Sequence, residues 1–449
     1  MSKLWKHQQD ALDEAHTYPK RALLFDPRTG KTKTSIAILK AWGTPPCLIT
    51  APKTVCPYWV EEGAAQGITI LNGYEGTVAK TVALIKANPL AVVVINDDRL
   101  ANILKELPSA SWTALIADES HRFKSPSSKR GRAFRRLAQK ATYVRTLTGT
   151  PTPNNYGNLW GQMSGLNQDD WFSSFTKFKQ RYLITDQLFH SKILGYNNLP
   201  ELETKLKKWA TIVKRAEVFG PDTYQFVERR ITLPPAVMAL YRKLAKEWIA
   251  EINGHTINGT HCLTRFLRFQ QITSGFVSSE DGIAPIHNAK VDAVIEDLEE
   301  IVESGEKAVI FCKFTWEVET YKAEIEKRLK CKVVTIQGST SLPDRQAAIQ
   351  EINQASYPMV CIAQIQAGGT GIKLVGATYA LFVSETFSYA EQKQAQDRIY
   401  SPGKSKCVTF YRVPNTIDSY IARTLELKKS VNESVQNRRL EEILFGGDR

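Results

Sequence analysis

The chain has 449 residues, which is too many for one ordinary hydrophobic core, so two or three domains are expected. Hydrophobic residues make up 43% and charged residues 23% of the sequence, a composition typical of a folded, soluble protein. The net charge of +13 favours a polyanionic partner such as nucleic acid, although simple solubility is an alternative explanation.

Three features argue against a secreted or membrane-spanning protein. The seven cysteines form no C-x-x-C pair, which disfavours a disulfide framework and a zinc site. The N-terminal sequence MSKLWKHQQD is too polar for a signal peptide. No apolar run approaches the roughly 18–20 residues that cross a bilayer. We therefore expect a soluble, cytoplasmic protein with no membrane partner.

Short apolar runs alternate with helical patterns along the chain, which predicts an α/β fold with mostly parallel sheets. The first series of predicted strands is Ala22–Phe25, Cys47–Ala51, Ala91–Asn96, Ala114–Asp118 and Tyr143–Thr148. The second series is Lys307–Cys312, Lys332–Gln337, Met359–Gln364, Tyr379–Ser384 and Cys407–Val413. Two series of five strands predict two similar sheet domains in tandem.

A segment of different composition separates the two series. It is rich in Trp, Phe, Lys and Leu, as in WFSSFTKFKQRYL, and its patterns predict helices. Leu233–Pro235 and Ser278–Pro285 mark joints inside it. We therefore divide the chain into a first sheet domain (residues 1–164), helical protrusions with an interdomain linker (165–285) and a second sheet domain (286–449).

The stretch FDPRTGKT lies between the first predicted strand and a predicted helix. This is the context of a phosphate-binding loop, because backbone N–H groups at the start of a helix bind anions. Its ending, Gly30-Lys31-Thr32, matches G-x-x-x-x-G-K-[ST], but Phe25 stands where that pattern has its first glycine. In such a loop, Lys31 reaches the β- and γ-phosphates and Thr32 holds Mg²⁺. Arg28 either lies near the phosphates or points to solvent.

The stretch ALIADESH places two carboxylates at the end of a predicted strand. Asp118 can bind Mg²⁺ and Glu119 can polarise an attacking water molecule at the carboxyl edge of a sheet. An ordinary acidic strand end is the alternative for these two residues alone. Their combination with a Gly-Lys-Thr loop favours a nucleotide site.

A strongly basic stretch follows, KSPSSKRGRAFRRLAQK, which has seven basic residues and no acidic one. Its narrow apolar stripe predicts a helix with arginines on the other faces. The stripe consists of Ala133, Phe134, Leu137 and Ala138. The basic faces are either simply solvated or bind a polyanion.

These motifs resemble, in this order, those of superfamily-2 helicases, and most closely the SWI/SNF-type DNA translocases in a compact phage or bacterial form. DESH-RFK and LTGTPTPNN are similar to the family patterns DEAH-R-x-K-N and LTGTP-x-x-N-N. The family's phosphate loop also lacks the first glycine. LWKHQQDAL resembles the adenine-reading Q motif, with Gln8 as its glutamine. APKTVCPYWVEE resembles the family's P-x-x-x-x-x-W-x-x-E segment, with Trp59 as its tryptophan.

The second half of the chain is similar to the remaining motifs of the family. The matching stretches are RFLRFQQITSGF, AVIFCKF, IQGSTSLPDR, IAQIQAGGTGIKL, QAQDRIYSPGK and TIDSYI. The resemblance implies two RecA-like parallel-sheet domains in tandem, with helical insertions between them and ATP bound in the cleft that the two domains form.

The resemblance also implies a DNA-dependent ATPase or DNA helicase that uses ATP and Mg²⁺, and it assigns roles residue by residue. The implied catalytic residues are Lys31, Glu119, Gln394 and Arg398. The implied ATP-binding residues are Gln8, Gly30, Lys31, Thr32, Gly369 and Gly371, with Thr32 and Asp118 holding Mg²⁺. Thr148 and Thr150 are the implied coupling residues. The implied DNA-binding residues are Lys53, Arg99, Lys124, Gln337, Gly338 and Gln366.

One position departs from the family pattern. The sixth motif of the family has two arginines, of which Arg398 matches the first, whereas Ser401 stands at the second. In the family this second arginine acts on the γ-phosphate across the cleft. Three interpretations remain open: turnover is slow, a nearby basic residue such as Lys404 substitutes, or the chain is a nucleotide-gated DNA-binding protein.

The resemblance leaves the biological task less defined. Compact members of the family remodel forked or branched DNA in replication, recombination and repair, and we expect this function for a monomer of this chain. A translocase that displaces proteins from duplex DNA and a catalytically weak DNA-binding protein are the alternatives. Without a zinc finger or an aromatic RNA-binding signature, recognition is expected through the DNA backbone and shape.

Overall fold

A computed structural model describes residues 3–107, 112–166, 174–186, 193–220, 224–254, 259–279, 282–366 and 372–437. The chain forms two compact units. The first is built mainly from Met1–Pro221, and the second from Asp222–Gly368 and Ile372–Leu427. Each unit contains one parallel sheet with helices, which confirms the predicted α/β fold of two RecA-like domains in tandem with helical insertions between them.

The first unit contains nine strands among the described residues. They are β1 (Lys20–Phe25), β2 (Cys47–Ala51), β3 (Ile70–Asn72), β4 (Val92–Asn96), β5 (Ala114–Ala117), β6 (Tyr143–Leu147), β7 (Leu183–Thr185), β8 (Ile193–Tyr196) and β9 (Ala210–Val213). Seven of them form a parallel sheet in the order β3-β4-β2-β5-β6-β1-β9, and β7 and β8 form a separate antiparallel pair.

Helices alternate with these strands, as the crossover connections of a parallel sheet require. They are α1 (Lys6–Asp13), α2 (Lys31–Ala41), α3 (Cys56–Ala65), α4 (Val78–Ala87), α5 (Leu100–Glu106), α6 (Lys129–Lys140), α7 (Asn158–Met163), α8 (Phe175–Tyr182), α9 (Leu199–Trp209) and α10 (Arg215–Phe219). Short 3₁₀ turns span Asp97–Arg99 and Ser120–Phe123.

The described part of the second unit repeats this plan. Its strands are β10 (Tyr224–Arg230), β11 (Phe276–Ser279), β12 (Gly282–Pro285), β13 (Ala308–Cys312), β14 (Lys332–Ile336), β15 (Met359–Gln364), β16 (Tyr379–Phe382) and β17 (Lys406–Arg412). Six form a parallel sheet in the order β10-β17-β16-β13-β15-β14, and β11 and β12 form an antiparallel pair. The helices are α11 (Pro235–Gly254), α12 (Gly259–Ser274), α13 (Ala289–Glu303), α14 (Thr315–Arg328), α15 (Leu342–Gln354), α16 (Tyr389–Asp397) and α17 (Ile417–Asn437).

Each main sheet has a hydrophobic core on both faces. In β2, for example, Leu48 packs into one core cluster, whereas Cys47, Ile49 and Ala51 pack into the other. The second sheet divides in the same way, with Ile310 on one face and Phe311 on the other. Because both faces are buried, the strands read as continuous apolar runs rather than as alternating patterns.

Helix α6 confirms the predicted apolar stripe of the basic segment. Phe134 and Leu137 are buried, as are the two alanines of the stripe, whereas Arg132 and Arg136 are exposed on other faces. The ring of Phe134 stacks on that of Phe123 at a centroid distance of 4.7 Å. The apolar face of α6 therefore packs directly beneath the turn that follows β5.

Replacing Phe134 by alanine should destabilise the first unit by about 3–5 kcal/mol, because it leaves a cavity in a core with little room to collapse. Denaturant unfolding, followed by circular dichroism, measures this loss. Arg136→Ala, on the exposed face of the same helix, is the control and should change the free energy of unfolding by no more than about 0.5 kcal/mol. Equal effects of the two substitutions would contradict this packing.

Candidate functional site

The carboxyl ends of five neighbouring strands bring the motifs of the first unit to one edge of its sheet. Along this edge the strands follow the order β4-β2-β5-β6-β1. The phosphate loop follows β1, the LTGTP stretch follows β6 and the DESH stretch follows β5. Lys53 follows β2, and Arg99 lies in the turn after β4. Ligands of open parallel sheets bind at this edge, so the predicted site residues of this unit lie where a ligand is expected.

The phosphate loop joins β1 to the first turn of α2. Gly30 adopts a positive φ of 85°, and a Cβ atom at this position would lie 2.0 Å from the Nε2 atom of Gln8, so a glycine is required. Lys31 is the first residue of α2, and its Nζ atom donates to the carbonyl oxygens of Phe25 at 2.9 Å and Asp26 at 3.4 Å. Lys31 thus lies against the loop that is predicted to hold phosphate.

Arg28 also has a positive φ, 70°, which is uncommon for a residue with a side chain. The position is half-buried. The left-handed backbone at Arg28 and at Gly30 shapes the loop into a turn whose last residue leads directly into the helix.

Gln8 lies against the phosphate loop and is 1% exposed. Its Oε1 atom accepts from the backbone N–H of Trp5 at 2.9 Å, and its Nε2 atom donates to the carbonyl oxygen of Thr29 at 3.4 Å. His7 Nε2 lies 2.8 Å from the same carbonyl oxygen. The structure therefore places Gln8 against the phosphate loop. The described hydrogen bonds of its side chain are made to the backbone of Trp5 and to the loop carbonyl of Thr29. The adenine-reading role of Gln8 stays a prediction.

The two carboxylates at the end of β5 are held differently. Asp118, which is 5% exposed, accepts from the indole Nε1–H of Trp59 at its Oδ2 atom and from the backbone N–H of Glu119 at its Oδ1 atom, both at 2.9 Å. Burial, and secondarily the charge of Glu119, raise the pKa of Asp118 above its usual range. Burial opposes ionisation of Glu119 as well, but His121, Lys31 and Arg122 outweigh it and lower the pKa of Glu119.

This set of side chains fits a magnesium ion. Mg²⁺ prefers oxygen ligands and is held in phosphoryl-transfer enzymes by one or two protein groups together with the phosphates. Asp118 is a buried carboxylate that a cation would stabilise, and Thr32 adds a hydroxyl in the first turn of α2. Among the described residues, groups of three or more His, Cys, Asp or Glu placed to bind a metal are absent. The carboxylate of Asp118 and the hydroxyl of Thr32 suit a cation that also binds phosphate.

His121 connects Glu119, the predicted catalytic carboxylate, to Thr148 and Thr150, the predicted coupling residues. Its Nδ1 atom lies 3.2 Å from Glu119 Oε2, 3.1 Å from Thr148 Oγ1 and 3.4 Å from Thr150 Oγ1. The backbone N–H of Thr150 donates to Thr148 Oγ1 at 3.0 Å. One imidazole nitrogen thus faces oxygens of both motifs.

Lys53 and Lys124 lie in the segments that follow β2 and β5. Lys53 is exposed, and Lys124 is half-buried at the start of the basic stretch. On α6, the exposed basic side chains are those of Lys129, Arg132, Arg136 and Lys140. These side chains are accessible to a polyanion. Their role in DNA binding stays a prediction.

Arg99 has a structural role that the sequence did not indicate. Its guanidinium group donates to the carbonyl oxygens of Gly73, Glu75 and Gly76 and to the hydroxyl of Thr81, at distances of 2.6–3.3 Å. Arg99 thereby ties the segment after β3 to the end of β4. A DNA contact by Arg99 stays a prediction and has to be compatible with these bonds.

Three further residues link elements of the site by hydrogen bonds, and none of them was among the predicted site residues. Trp59 donates to Asp118, and Gln162 accepts from Ser120 at 2.9 Å and donates to the carbonyl of Pro151 at 2.7 Å. Asp97 is fully buried and accepts from Arg122. Asp97 follows β4 as Asp118 follows β5, so the acidic strand-end signal could have identified it.

In the second unit, the predicted DNA-binding residues follow the neighbouring strands β14 and β15. The backbone N–H of Gly338 donates to Gln364 Oε1 at 3.2 Å, and Gln366 Nε2 donates to Glu391 at 3.4 Å. Gln337 donates its backbone N–H to Thr340 Oγ1 at 2.9 Å. The structure therefore places Gln337, Gly338 and Gln366 at adjacent strand ends of the second sheet.

Arg398 lies inside the second unit and is 6% exposed. It donates to the carbonyl oxygen of Ile365 at 3.0 Å, and burial lowers its pKa to about 10, so it stays charged at neutral pH. Gln394 is half-buried on α16, and Ser401 is half-buried in the turn before β17. Gly369 and Gly371 lie outside the described residues. The catalytic role of Arg398 stays a prediction.

Comparisons with known proteins agree with the order of these motifs. Residues 11–272 match the model of the SNF2-related domain, and residues 290–403 match that of the helicase conserved C-terminal domain. The SWI/SNF-related matrix-associated actin-dependent regulator of chromatin subfamily A-like protein 1 of Xenopus laevis is 25% identical, with 95% of this chain and 43% of that protein covered. Protein p41 of Acyrthosiphon pisum secondary endosymbiont phage 1 is 25% identical, with 90% of this chain and 91% of that protein covered.

YwqA of Bacillus subtilis is 24% identical over 87% of this chain and 43% of its own length. The chain spans less than half the length of the first curated relatives that it matches. Among solved structures, the Sulfolobus solfataricus SWI2/SNF2 ATPase core in complex with dsDNA is 21% identical, with a TM-score of 0.45 and coverage of 97% of this chain and 93% of that one. Within the described residues, no helix has the length and apolar character needed to cross a membrane.

Proposed function

Because the chain belongs to the SNF2-related family, we propose that it is a DNA-dependent ATPase that couples ATP hydrolysis to movement along DNA. One observation carries the proposal. The phosphate loop, the carboxylate pair and the coupling threonines lie at the ends of three adjacent strands, and the exposed Lys53 follows the next strand of the same edge. The residues proposed to bind the nucleotide and an exposed basic residue therefore share one sheet edge.

ATP is bound by the phosphate loop in this proposal. Lys31 exchanges the carbonyls of Phe25 and Asp26 for the β- and γ-phosphates, while backbone N–H groups of the first turn of α2 bind phosphate oxygens. Thr32 and Asp118 are the residues that would hold Mg²⁺, which neutralises phosphate charge when it is bound. Glu119, kept ionised by its neighbours, orients the attacking water and accepts its proton.

Hydrolysis is coupled to DNA through His121. When the charge around Glu119 changes, His121 Nδ1 can shift its hydrogen bond among Glu119, Thr148 and Thr150. The LTGTP segment packs closely on the phosphate loop, because a Cβ atom on Gly149 would lie 2.8 Å from Pro27. A small change at one motif is therefore transmitted to the next rather than absorbed.

DNA is bound through its phosphates in this proposal. The predicted contacts are Lys, Arg, Gln and backbone N–H groups, which recognise the backbone and carry no base sequence information directly. The net charge of +13 adds a sequence-independent attraction that weakens with salt. We propose forked or branched DNA as the substrate, and displacement of proteins from duplex DNA as the alternative within the same class of motor.

Steady-state ATP hydrolysis without DNA and with duplex, single-stranded or forked DNA of equal length tests the proposed function. We expect duplex DNA to stimulate hydrolysis and forked DNA to stimulate it most. Equal stimulation by duplex and forked DNA would favour the protein-displacing translocase. Hydrolysis that no DNA stimulates would refute the motor.

A nucleotide-gated DNA-binding protein is the second candidate, and Ser401 is the observation that favours it. If the missing arginine limits turnover, Ser401→Arg should raise the DNA-stimulated rate by about tenfold or more, since arginines of this kind contribute on the order of 10³–10⁵ in rate. Ser405→Arg adds the same charge at an exposed neighbouring position and should leave the rate unchanged.

Lys404→Ala separates the remaining interpretations. A large loss of hydrolysis in this variant indicates that Lys404 supplies the missing charge. A rate that Ser401→Arg leaves unchanged or lowers, measured by the same coupled assay, contradicts the idea that Ser401 limits turnover.

A further inference from the structure

Trp59 is the largest fully buried side chain among the described residues, and its only polar atom is directed at the nucleotide site. Its Nε1–H donates to Asp118 Oδ2 at 2.9 Å, in a hydrogen bond that is buried on both sides. A buried indole N–H needs an acceptor, and most acceptors in a core are backbone carbonyls. Here the acceptor is the carboxylate that the proposed function assigns to Mg²⁺.

The carboxylate of Asp118 is fixed by two donors. The backbone N–H of Glu119 bonds to Oδ1, and Trp59 bonds to Oδ2. The backbone of Asp118 is itself held, because its N–H donates to the carbonyl of Thr50 in the neighbouring strand β2. Of the two donors to the carboxylate, only Trp59 is a side chain, so the rotation of this carboxylate about its Cβ–Cγ bond depends on one replaceable group.

Trp59 follows the exposed Lys53 along the chain, and Lys53 lies in the turn before α3. The turn before α3 is closed by a hydrogen bond from Val55 N–H to the Pro52 carbonyl at 2.8 Å, and Lys53 stands at its tip. Helix α3 then carries Trp59 inward to Asp118. The turn and α3 therefore join the exposed Lys53 to the residue that bonds to the Asp118 carboxylate.

We propose that Trp59 is a positioning residue that orients the Asp118 carboxylate for its cation through the indole N–H. The proposal rests on the proposed function in taking Asp118 as a magnesium ligand. Groups that form hydrogen bonds to a metal ligand without contacting the metal typically contribute about 10–100-fold to metal affinity. Loss of the N–H should therefore weaken Mg²⁺ binding without weakening the binding of nucleotide alone.

Binding of N-methylanthraniloyl-ADP, followed by its fluorescence while Mg²⁺ is titrated, measures this effect without turnover. In Trp59→Phe, we expect the Mg²⁺ concentration at half-maximal effect to rise about tenfold. Affinity for the same nucleotide in EDTA should equal that of the unaltered protein. In an Asp118→Asn background, Trp59→Phe should cause no further change, because the two residues act as one unit.

Trp42 provides a matched control. It is 7% exposed and donates its Nε1–H to the Ala15 carbonyl at 3.2 Å, so Trp42→Phe removes a buried indole bond of the same kind elsewhere in the unit. This variant should keep the Mg²⁺ dependence of the unaltered protein. If Trp59→Phe fails to fold, 3-benzothienylalanine at position 59 makes the same change, since it keeps the ring shape and replaces N–H by sulfur.

An unchanged Mg²⁺ midpoint in a folded variant that lacks the Trp59 N–H overturns the inference. So does an equal shift in Trp42→Phe, which would show that the effect comes from general loosening of the unit. An unaltered protein that binds no nucleotide contradicts the proposed function instead, so the two failures are distinguishable.

Discussion

A Glu119→Gln variant should lose ATP hydrolysis by about 10²–10⁴-fold while binding nucleotide as tightly as the unaltered protein. Glu119 is ionised at neutral pH because His121, Lys31 and Arg122 lower its pKa against the effect of burial. The amide has almost the same shape but cannot accept the proton of the attacking water. DNA-stimulated phosphate release and fluorescent-nucleotide binding measure the two quantities separately.

Glu61→Gln is the control for this prediction. Glu61 is exposed on α3, so its substitution makes the same chemical change away from the site. We expect it to leave hydrolysis unchanged. A Glu119→Gln variant that retains more than about a tenth of the rate would show that another group acts as the base, and His121 would then be the first alternative because its Nδ1 atom is 3.2 Å from Glu119.

A Lys31→Ala variant should lose both hydrolysis and tight nucleotide binding, with a fall in rate of roughly 10²–10³-fold or more. Lys31 begins α2, and its ammonium group lies against the loop carbonyls of Phe25 and Asp26. Its removal takes away a positive charge aimed at the phosphates. Nucleotide affinity measured by fluorescence, together with the hydrolysis rate, checks the prediction.

Lys33→Ala is the matched control, since Lys33 stands two residues further along the same helix and its Nζ atom donates to the carbonyl of Lys3. It removes the same charge from the same helix. If the two lysine variants lose nucleotide affinity equally, the effect of Lys31 is general electrostatics and the loop is not the phosphate site.

In both sheets, the strands that are buried on both faces were predictable from the sequence. Runs such as Cys47–Ala51 and Met359–Gln364 are continuous and apolar because helices cover both sides of a parallel sheet, and the structure confirms them with the same bounds. In the two main sheets, the strands that the sequence did not reveal lie at the edges. They are β3, which has three residues, β9, which follows α9 directly, and β10, which is largely exposed. The antiparallel pairs β7–β8 and β11–β12 were also missed, and they lie with β9 and β10 in the segment for which the sequence predicted helices.

The motifs of the site were predictable because each one is local. Gly30 to Thr32 and Asp118 to Glu119 are short stretches at strand ends, and the order of strands places them together. The hydrogen bond between Trp59 and Asp118 was not predictable, because it joins positions that are 59 residues apart and becomes possible only when β2 and β5 pair. Spacing along the chain carries no information on such contacts.

The orientation of long polar side chains was the other feature that the sequence did not predict. Gln8 and Arg398 occupy the motif positions that the resemblance assigns, yet both side chains bond to backbone carbonyls within their own units, at Thr29 and Ile365. Arg99 likewise bonds to the carbonyls after β3. A motif identifies which residue stands at a position, whereas the partner of a long polar side chain depends on packing that no local pattern records.

Displacement of the third strand from a DNA triplex measures movement along the duplex most directly. We expect the protein to release this strand in the presence of ATP and Mg²⁺, at a rate that falls to the spontaneous rate in Glu119→Gln and with a non-hydrolysable ATP analogue. A protein whose ATP hydrolysis is stimulated by duplex DNA, but which never releases the third strand above the spontaneous rate, would contradict the account of a DNA-translocating motor.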